Sequence, residues 1–315
     1  MRSVHAVLAS APDPTPLGGS SAWWERHRAV ARGEPHAIDQ AILGGFAADR
    51  LAYAFASGYQ AALRALVPDL PWDRLASLAV TERGGGHPRA IETRLDPIGG
   101  EGEGGGYLLT GRKRWATLSG DAGVLLVAAS ISTGADAQGR NRLRVARVDG
   151  AAPGVTRRPM PEPPFTPEIS HGEVELACVV VAESELLPGD GFDRYVRPFR
   201  TVEDVHVHAA VYAYVIREIR LHGLGRPLAE RFAGLLVALR ALAAEDPAAP
   251  EVHVALAGVL SLARAPLEDL DCAWAKTESP AHARWERDRL LFSVAGGVRD
   301  ARLARAWEKL GGVTA

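Results

Sequence analysis

A chain of 315 residues, 47% hydrophobic and 23% charged, has the balance of a globular protein and enough core for two or three domains. Its formal net charge of −2 gives no sign of the basic surface that nucleic acids and anionic membranes require. No apolar run is long enough to cross a bilayer, and the apolar patch in the opening MRSVHAVLASAPDPTP is too short for a signal-peptide core. With only two cysteines, Cys178 and Cys272, set far apart, neither a metal knuckle nor a disulfide framework is expected, and a cytoplasmic location is.

The elements follow in chain order. Residues 21–66 are rich in Ala and Leu at helical spacing, most clearly in the stretch 36–66 (HAIDQAILGGFAADRLAYAFASGYQAALRAL), until Asp69, Pro71 and Trp72 break the pattern. Between residues 75 and 187 the period changes to two. The β-type runs are 124–130 (VLLVAAS), 143–148 (LRVARV) and 173–181 (EVELACVVV), with turn clusters at 84–87, 99–106 and 133–141. Short strands at this spacing predict a barrel or sandwich rather than a βαβ sheet. Beyond Gly189 the helical period returns over 199–222, 227–244, 250–274 and 282–310, with a break at EDPAAP (245–250). The expected fold is therefore α+β and multidomain: a helical N-terminal domain (1–74), a β-rich middle domain (75–190) and a C-terminal bundle of about four helices (191–315).

Two patterns invite functional readings that fail. His206 and His208 are two apart on an expected helix, so they point in different directions and cannot chelate together; no metal is expected. The GEGEGGG run near residues 100–106 lacks the strand before and helix after that a dinucleotide-binding loop needs.

Two linked motifs carry more. LAVTERGGGH (78–87) closes an expected strand, and its glycines suit a close approach of backbone amides to a ligand. It resembles the Thr-Glu-Pro-Gly-Ala-Gly-Ser turn of the acyl-CoA dehydrogenases. Thr81, Glu82, Gly84 and Gly86 match, while Arg83, Gly85 and His87 replace Pro, Ala and Ser. The segment 105–129 (GGYLLTGRKRWATLSGDAGVLLVAA) resembles that family's Gly-Tyr-x-Leu-Asn-Gly-x-Lys-x-Trp-Ile-Thr segment, with Tyr107, Leu109, Gly111, Lys113, Trp115 and Thr117 in register. Residues 171–192 resemble the strand and exit loop before the first C-terminal helix. Residues 224–242 (LGRPLAERFAGLLVALRAL) resemble the Phe-Gly-x-Pro-Leu-x-x-x-Gln helix start, with Phe232 at the Gln position.

The resemblance covers most of residues 75–242 and marks a short, divergent member of the family. It implies FAD as cofactor, with Thr81, Gly84, Gly86, Trp115 and Thr117 near the flavin, His87 on the substrate side, and Arg220, one residue from the family position, toward the pyrophosphate. It implies an acyl-CoA or related thioester as substrate, and a homodimer or a hetero-oligomer with a related subunit. Two alternatives keep the fold: an oxygen-activating flavin monooxygenase, and a catalytically depleted subunit that completes a partner's site.

Dehydrogenation of a thioester requires one carboxylate to take the α-proton. The resemblance offers two positions for it. In RDARLARAWEKLGG (299–312), Arg299, Asp300 and the Trp307–Glu308 pair stand at the family's distances, and this ranks Glu308 first. Lys309 and Leu310 replace the turn residues, so the rival reading is a continued helix with Glu308 on its surface. In FRTVEDVHVHAAV (199–211), Glu203 and Asp204 lie near the second position; their rival reading is acids favoured at a helix start.

Overall fold

Helices whose facing residues are small can close to backbone contact, and the helical part of this protein is built on that effect. The computed structural model describes residues 1–99, 105–135, 141–294 and 296–312. The 100–104 part of the first glycine cluster and the 136–140 part of the 133–141 turn cluster lie outside the described residues. The chain divides into two compact units, a helical one of Met1–Pro68, Pro163–Glu168 and Arg200–Ala315, and a β-rich one of Asp69–Glu162 and Ile169–Phe199.

The N-terminal helices are α1 (Arg2–Ala9), α2 (Ser20–Ala31), α3 (Ala37–Ala47) and α4 (Leu51–Leu66). The C-terminal ones are α5 (Arg197–His222), α6 (Arg226–Leu242), α7 (Pro250–Leu262), α8 (Arg264–Trp274), α9 (Pro280–Asp288) and α10 (Gly296–Lys309). Stretches that the sequence period shows as single helices are divided. Residues 36–66 break after Ala47, where Ala48 and Arg50 are extended and Asp49 accepts the Leu17 N–H at 2.9 Å. Residues 250–274 break at Ala263, and Pro266 falls in the first turn of α8, where its missing N–H is not required. A 3₁₀ stretch, Arg289–Ser293, separates α9 from α10. Helix α1, in a segment too short to show a period, is tied down by side chains: Asp39 of α3 accepts the Ser3 hydroxyl at 2.5 Å and the Arg240 guanidinium at 2.8 and 3.0 Å. Among the described residues no helix is long and apolar enough to cross a membrane.

Helix α5 runs through the interior, with Val205–Ile216 wholly buried. Its neighbours approach through glycine. A methyl on Gly45 would lie 2.0 Å from the Ala210 carbonyl oxygen, and one on Gly58 would lie 2.5 Å from the Val207 Cα. Neither obstacle is a movable side-chain tip, so the helices themselves would have to part. Gly45→Ala is expected to cost about 1–3 kcal/mol despite the better helix propensity of Ala, measured as a lower urea midpoint.

The β-rich unit holds one curled seven-stranded sheet: β1 (Ala76–Ala79), β2 (Arg94–Pro97), β3 (Tyr107–Thr117), β4 (Val124–Ala135), β5 (Asn141–Asp149), β6 (Val155–Pro159) and β7 (His171–Val181). Strand β4 is its centre. One edge pairs antiparallel with β5; the other is shared end to end by β1 and β2, both parallel to it. Hence residues 124–129 are buried on both faces, and a continuous apolar run rather than an alternating one is what this position requires. From β2 the sheet continues antiparallel through β3, β7 and β6.

Candidate functional site

Both sequence motifs of the β-rich unit end up side by side. The Arg114 N–H donates to the Thr81 carbonyl at 2.7 Å, and the Ser77 hydroxyl donates to the Thr117 carbonyl at 2.7 Å. These bonds join the end of β1 to the end of β3. Beyond Thr81 the chain turns on itself, with Glu82 and Gly85 exchanging N–H···O=C bonds at 3.0 Å and Gly85 at φ +107°, a value that suits glycine.

Beneath this junction lies a buried ion pair. Lys113 Nζ is 2.5 Å from Glu82 Oε1, with side-chain exposures of 0% and 6%, and also donates to the Val80 carbonyl at 3.2 Å. Glu82 further accepts the Glu92 and Thr93 N–H groups at 2.7 and 3.1 Å. Burial alone would raise the Glu82 carboxyl; the Lys113 charge and these bonds outweigh it and hold it below the usual range. Burial pulls the Lys113 ammonium down to about 8 against the opposing pull of Glu82, so the pair is ionised at pH 7. The sequence marks both residues as motif positions but gives no sign that they meet, because 31 residues separate them.

Strand β3 then does something a plain strand does not. Its register against β7 shifts between Lys113 and Ala116, and within that bulge Trp115 takes φ +56°. The indole is thereby turned out and stays 50% exposed, while Ala116 beside it is buried. A core tryptophan would do the opposite. Left-handed backbone at a bulky residue is costly, and bulges of this kind concentrate where a side chain must be re-aimed. Thr117, two residues on from Trp115, and Thr81, bonded to the Arg114 N–H, are half-buried; Gly84 and His87 are exposed, and His87 Nδ1 accepts the Arg89 N–H at 3.2 Å. The arrangement offers a flat aromatic surface, flanked by a glycine turn and two threonines, to a planar ligand.

In the helical unit, Glu203 and Asp204 of α5 have different surroundings. Asp204 Oδ1 accepts Arg299 Nε and Nη2 at 2.9 and 2.7 Å, and its Oδ2 accepts Arg302 Nη2 at 2.5 Å. Burial opposes ionisation of Asp204, but His208 and the two guanidiniums outweigh it and hold the carboxyl below its usual range. Burial also keeps His208 down to about 4, so at pH 7 that imidazole is neutral and the arginines supply the effect. Glu203 has no ion-pair or hydrogen-bond partner among the described residues. Part of it touches solvent, yet burial, reinforced by the Asp204 charge, pushes its carboxyl up to about 7. His206 and His208 each direct Nδ1 at a backbone carbonyl one turn earlier, at 2.7 and 2.6 Å. Among the described residues no three His, Cys, Asp or Glu side chains gather as a metal site.

Glu308 sits on α10, which continues as helix through Lys309, and its side chain is exposed. Arg220 donates to the Val7 and Ser10 carbonyls at 2.5 and 2.7 Å, closing the C-terminal end of α1. Arg220→Met is expected to loosen α1 and to speed proteolytic cleavage near residue 10 severalfold, as read by timed digestion and mass spectrometry. Sequence reading passed over Arg302, although its spacing of three from Arg299 puts both on one helix face.

Residues 77–179 match the acyl-CoA dehydrogenase middle domain family. No curated protein matches the chain in sequence. Among solved structures, PigA with FAD and proline aligns with a TM-score of 0.69 at 12% identity, over 98% of this chain and 92% of that one. Butyryl-CoA dehydrogenase from Megasphaera elsdenii aligns with a TM-score of 0.68 at 15% identity, over 94% and 91%. Glutaryl-CoA dehydrogenase from Mycobacterium smegmatis, in complex with FADH2, aligns with a TM-score of 0.65 at 15% identity, over 99% and 93%. The chain has the acyl-CoA dehydrogenase fold, and its residues 77–179 match the middle domain of that family.

Proposed function

We propose that this protein is an FAD-dependent oxidoreductase that removes hydrogen across the α and β carbons of an acyl-CoA or related thioester. The observation that carries the cofactor is Trp115, held half-exposed at φ +56° beside the Thr81 turn. An isoalloxazine is planar, with an apolar dimethylbenzene end and a polar pyrimidinedione end, and an outward indole flanked by Thr81, Thr117 and the amides of residues 84–86 suits it. Bound FAD would supply the hydride acceptor. Everything else falls to the chain.

The α-proton needs a base whose proton affinity is matched to neutral pH, and an unpaired carboxyl raised to about 7 is such a group. We therefore assign the proton to Glu203 rather than to Glu308, whose side chain is exposed on a continuous helix. The role of the Asp204 pairing with Arg299 and Arg302 is to keep that second carboxylate engaged, leaving Glu203 the free one. Assembly as a homodimer or hetero-oligomer is supported by large apolar side chains left exposed on the helical unit, such as Leu262, Trp307 and Leu310.

The test is the visible spectrum of purified protein, titrated without oxygen against butyryl-, glutaryl- and longer acyl-CoA. A yellow protein whose flavin band bleaches with a thioester is the expected result. The PigA likeness, with its bound proline, supports a second reading in which the substrate is not a simple acyl-CoA. A flavin that no acyl-CoA bleaches would shift the choice there, and a protein that neither retains nor takes up flavin would overturn both readings.

A further inference from the structure

We infer that Asp204, clasped by Arg299 and Arg302 of α10, is the positioning residue that decides whether the neighbouring Glu203 carries a proton. This rests on the reading of Glu203 as proton acceptor and deepens it. The clasp is well made. Three guanidinium nitrogens reach both oxygens of Asp204 at 2.5–2.9 Å, and the other terminal nitrogen of Arg302 reaches the Thr201 hydroxyl at 3.3 Å. All four residues are largely withdrawn from solvent, with Arg299, Arg302 and Asp204 side chains 21%, 16% and 13% exposed. A pair this sheltered is weakly screened, so its charge acts on adjacent groups.

Burial is the largest influence on the Glu203 carboxyl, and the charges that act on it beside burial are Asp204 and Arg200 from its own helix and Arg299 from α10. Asp204 disfavours a second negative charge next to it in the chain. Arg200 and Arg299 favour one. His208, the remaining titratable group at Asp204, is neutral at pH 7 and leaves the balance to these charges. The clasp thus has two opposed effects on one carboxyl: its anion keeps the proton on Glu203, and its cations draw the proton off. Removing one side or the other should move Glu203 in opposite directions, which a merely structural clasp would not do.

The experiment titrates Glu203 directly by NMR of protein labelled with ¹³C at the glutamate side-chain carboxyl, using Glu203→Gln to assign the resonance. Asp204→Asn leaves the cations without their anion, and Glu203 is expected to titrate about one pH unit lower. Arg299→Gln leaves Asp204 held by Arg302, and Glu203 is expected to titrate higher by up to about one pH unit. Should Asp204→Asn fail to fold, Asp204→Ser provides a second anion-removing variant, with the same downward shift expected. Shifts of the same sign in the two kinds of variant, or a Glu203 midpoint unmoved in all of them, would overturn the inference. If the midpoints move as expected while Glu203→Gln still reduces flavin with thioester, the clasp stands and the assignment of the base fails instead.

Discussion

Lys113→Met is expected to destabilise the β-rich unit by about 3–5 kcal/mol at pH 7, the largest stability effect of any single change considered. The ammonium is fully buried and holds both Glu82 and the Val80 carbonyl, so its loss strands a buried carboxylate and frees the end of β1. Two backbone N–H groups still reach Glu82, which keeps the cost from rising further. The penalty should depend on pH with a definite sign. In the parent, Glu82 is held below its usual range, so its stabilising share is present above the unfolded value of 4.5 and is lost as pH falls through the folded value. Without Lys113 that carboxyl titrates higher, so the variant's deficit shrinks toward pH 5. Adding Glu82→Gln should recover most of the loss by removing the unpaired charge. Amide hydrogen exchange along β3, measured at pH 5 and pH 7, reads the unit by itself. A deficit that grows in acid would contradict the assignment of charges.

Glu203→Gln is expected to lower the rate of flavin reduction by thioester by about 10²- to 10⁴-fold, with Glu308→Gln close to the parent. In the parent the rate should rise with pH and level off above about 7, where the Glu203 carboxyl is ionised. The same substitution should stabilise the protein. A carboxyl at about 7 when folded and 4.5 when unfolded binds more protons in the folded state across that interval, so stability falls as pH rises through it. Above pH 7 the parent has lost that contribution and the Gln variant has not; a gain of ~1–3 kcal/mol at pH 8 is expected, the range allowing for the part of Glu203 that touches solvent. Stopped-flow reduction and urea unfolding on the same pair of proteins measure both effects. A variant that loses rate and stability together would point to disrupted packing rather than a missing base.

The sequence was most legible where local chemistry decides structure. The apolar run at 124–130 reads as a strand, and β4 is that strand, covered on both faces over 124–129. The Thr81 and Trp115 motifs read as parts of one site, and the Arg114–Thr81 bond brings the two segments together. What stayed hidden depends on partners distant in the chain. Nothing in RKRWAT announces that Trp115 takes a left-handed backbone, because the bulge is defined only by the register of β7. The clasp on Asp204 could not be read because Arg299 lies 95 residues away. Other misses were local and avoidable. Pro266 and the Gly296–Gly297 pair signal helix starts inside stretches that periodicity alone shows as continuous.

The division of the chain has a consequence for its synthesis. The helical unit begins with residues 1–68 but is completed only by residues 200–315, with a short return at 163–168. Asp39 and its partner Arg240 are 201 residues apart, so at about 5–20 residues per second the first waits roughly 10–40 s for the second. During that interval α3 and α4 display the Gly45 and Gly58 faces that α5 will cover, while the intervening β-rich unit can complete itself first. Interruption of translation close to residue 200 should leave a finished sheet attached to an unsheltered pair of apolar helices, the state in which a chaperone would be required.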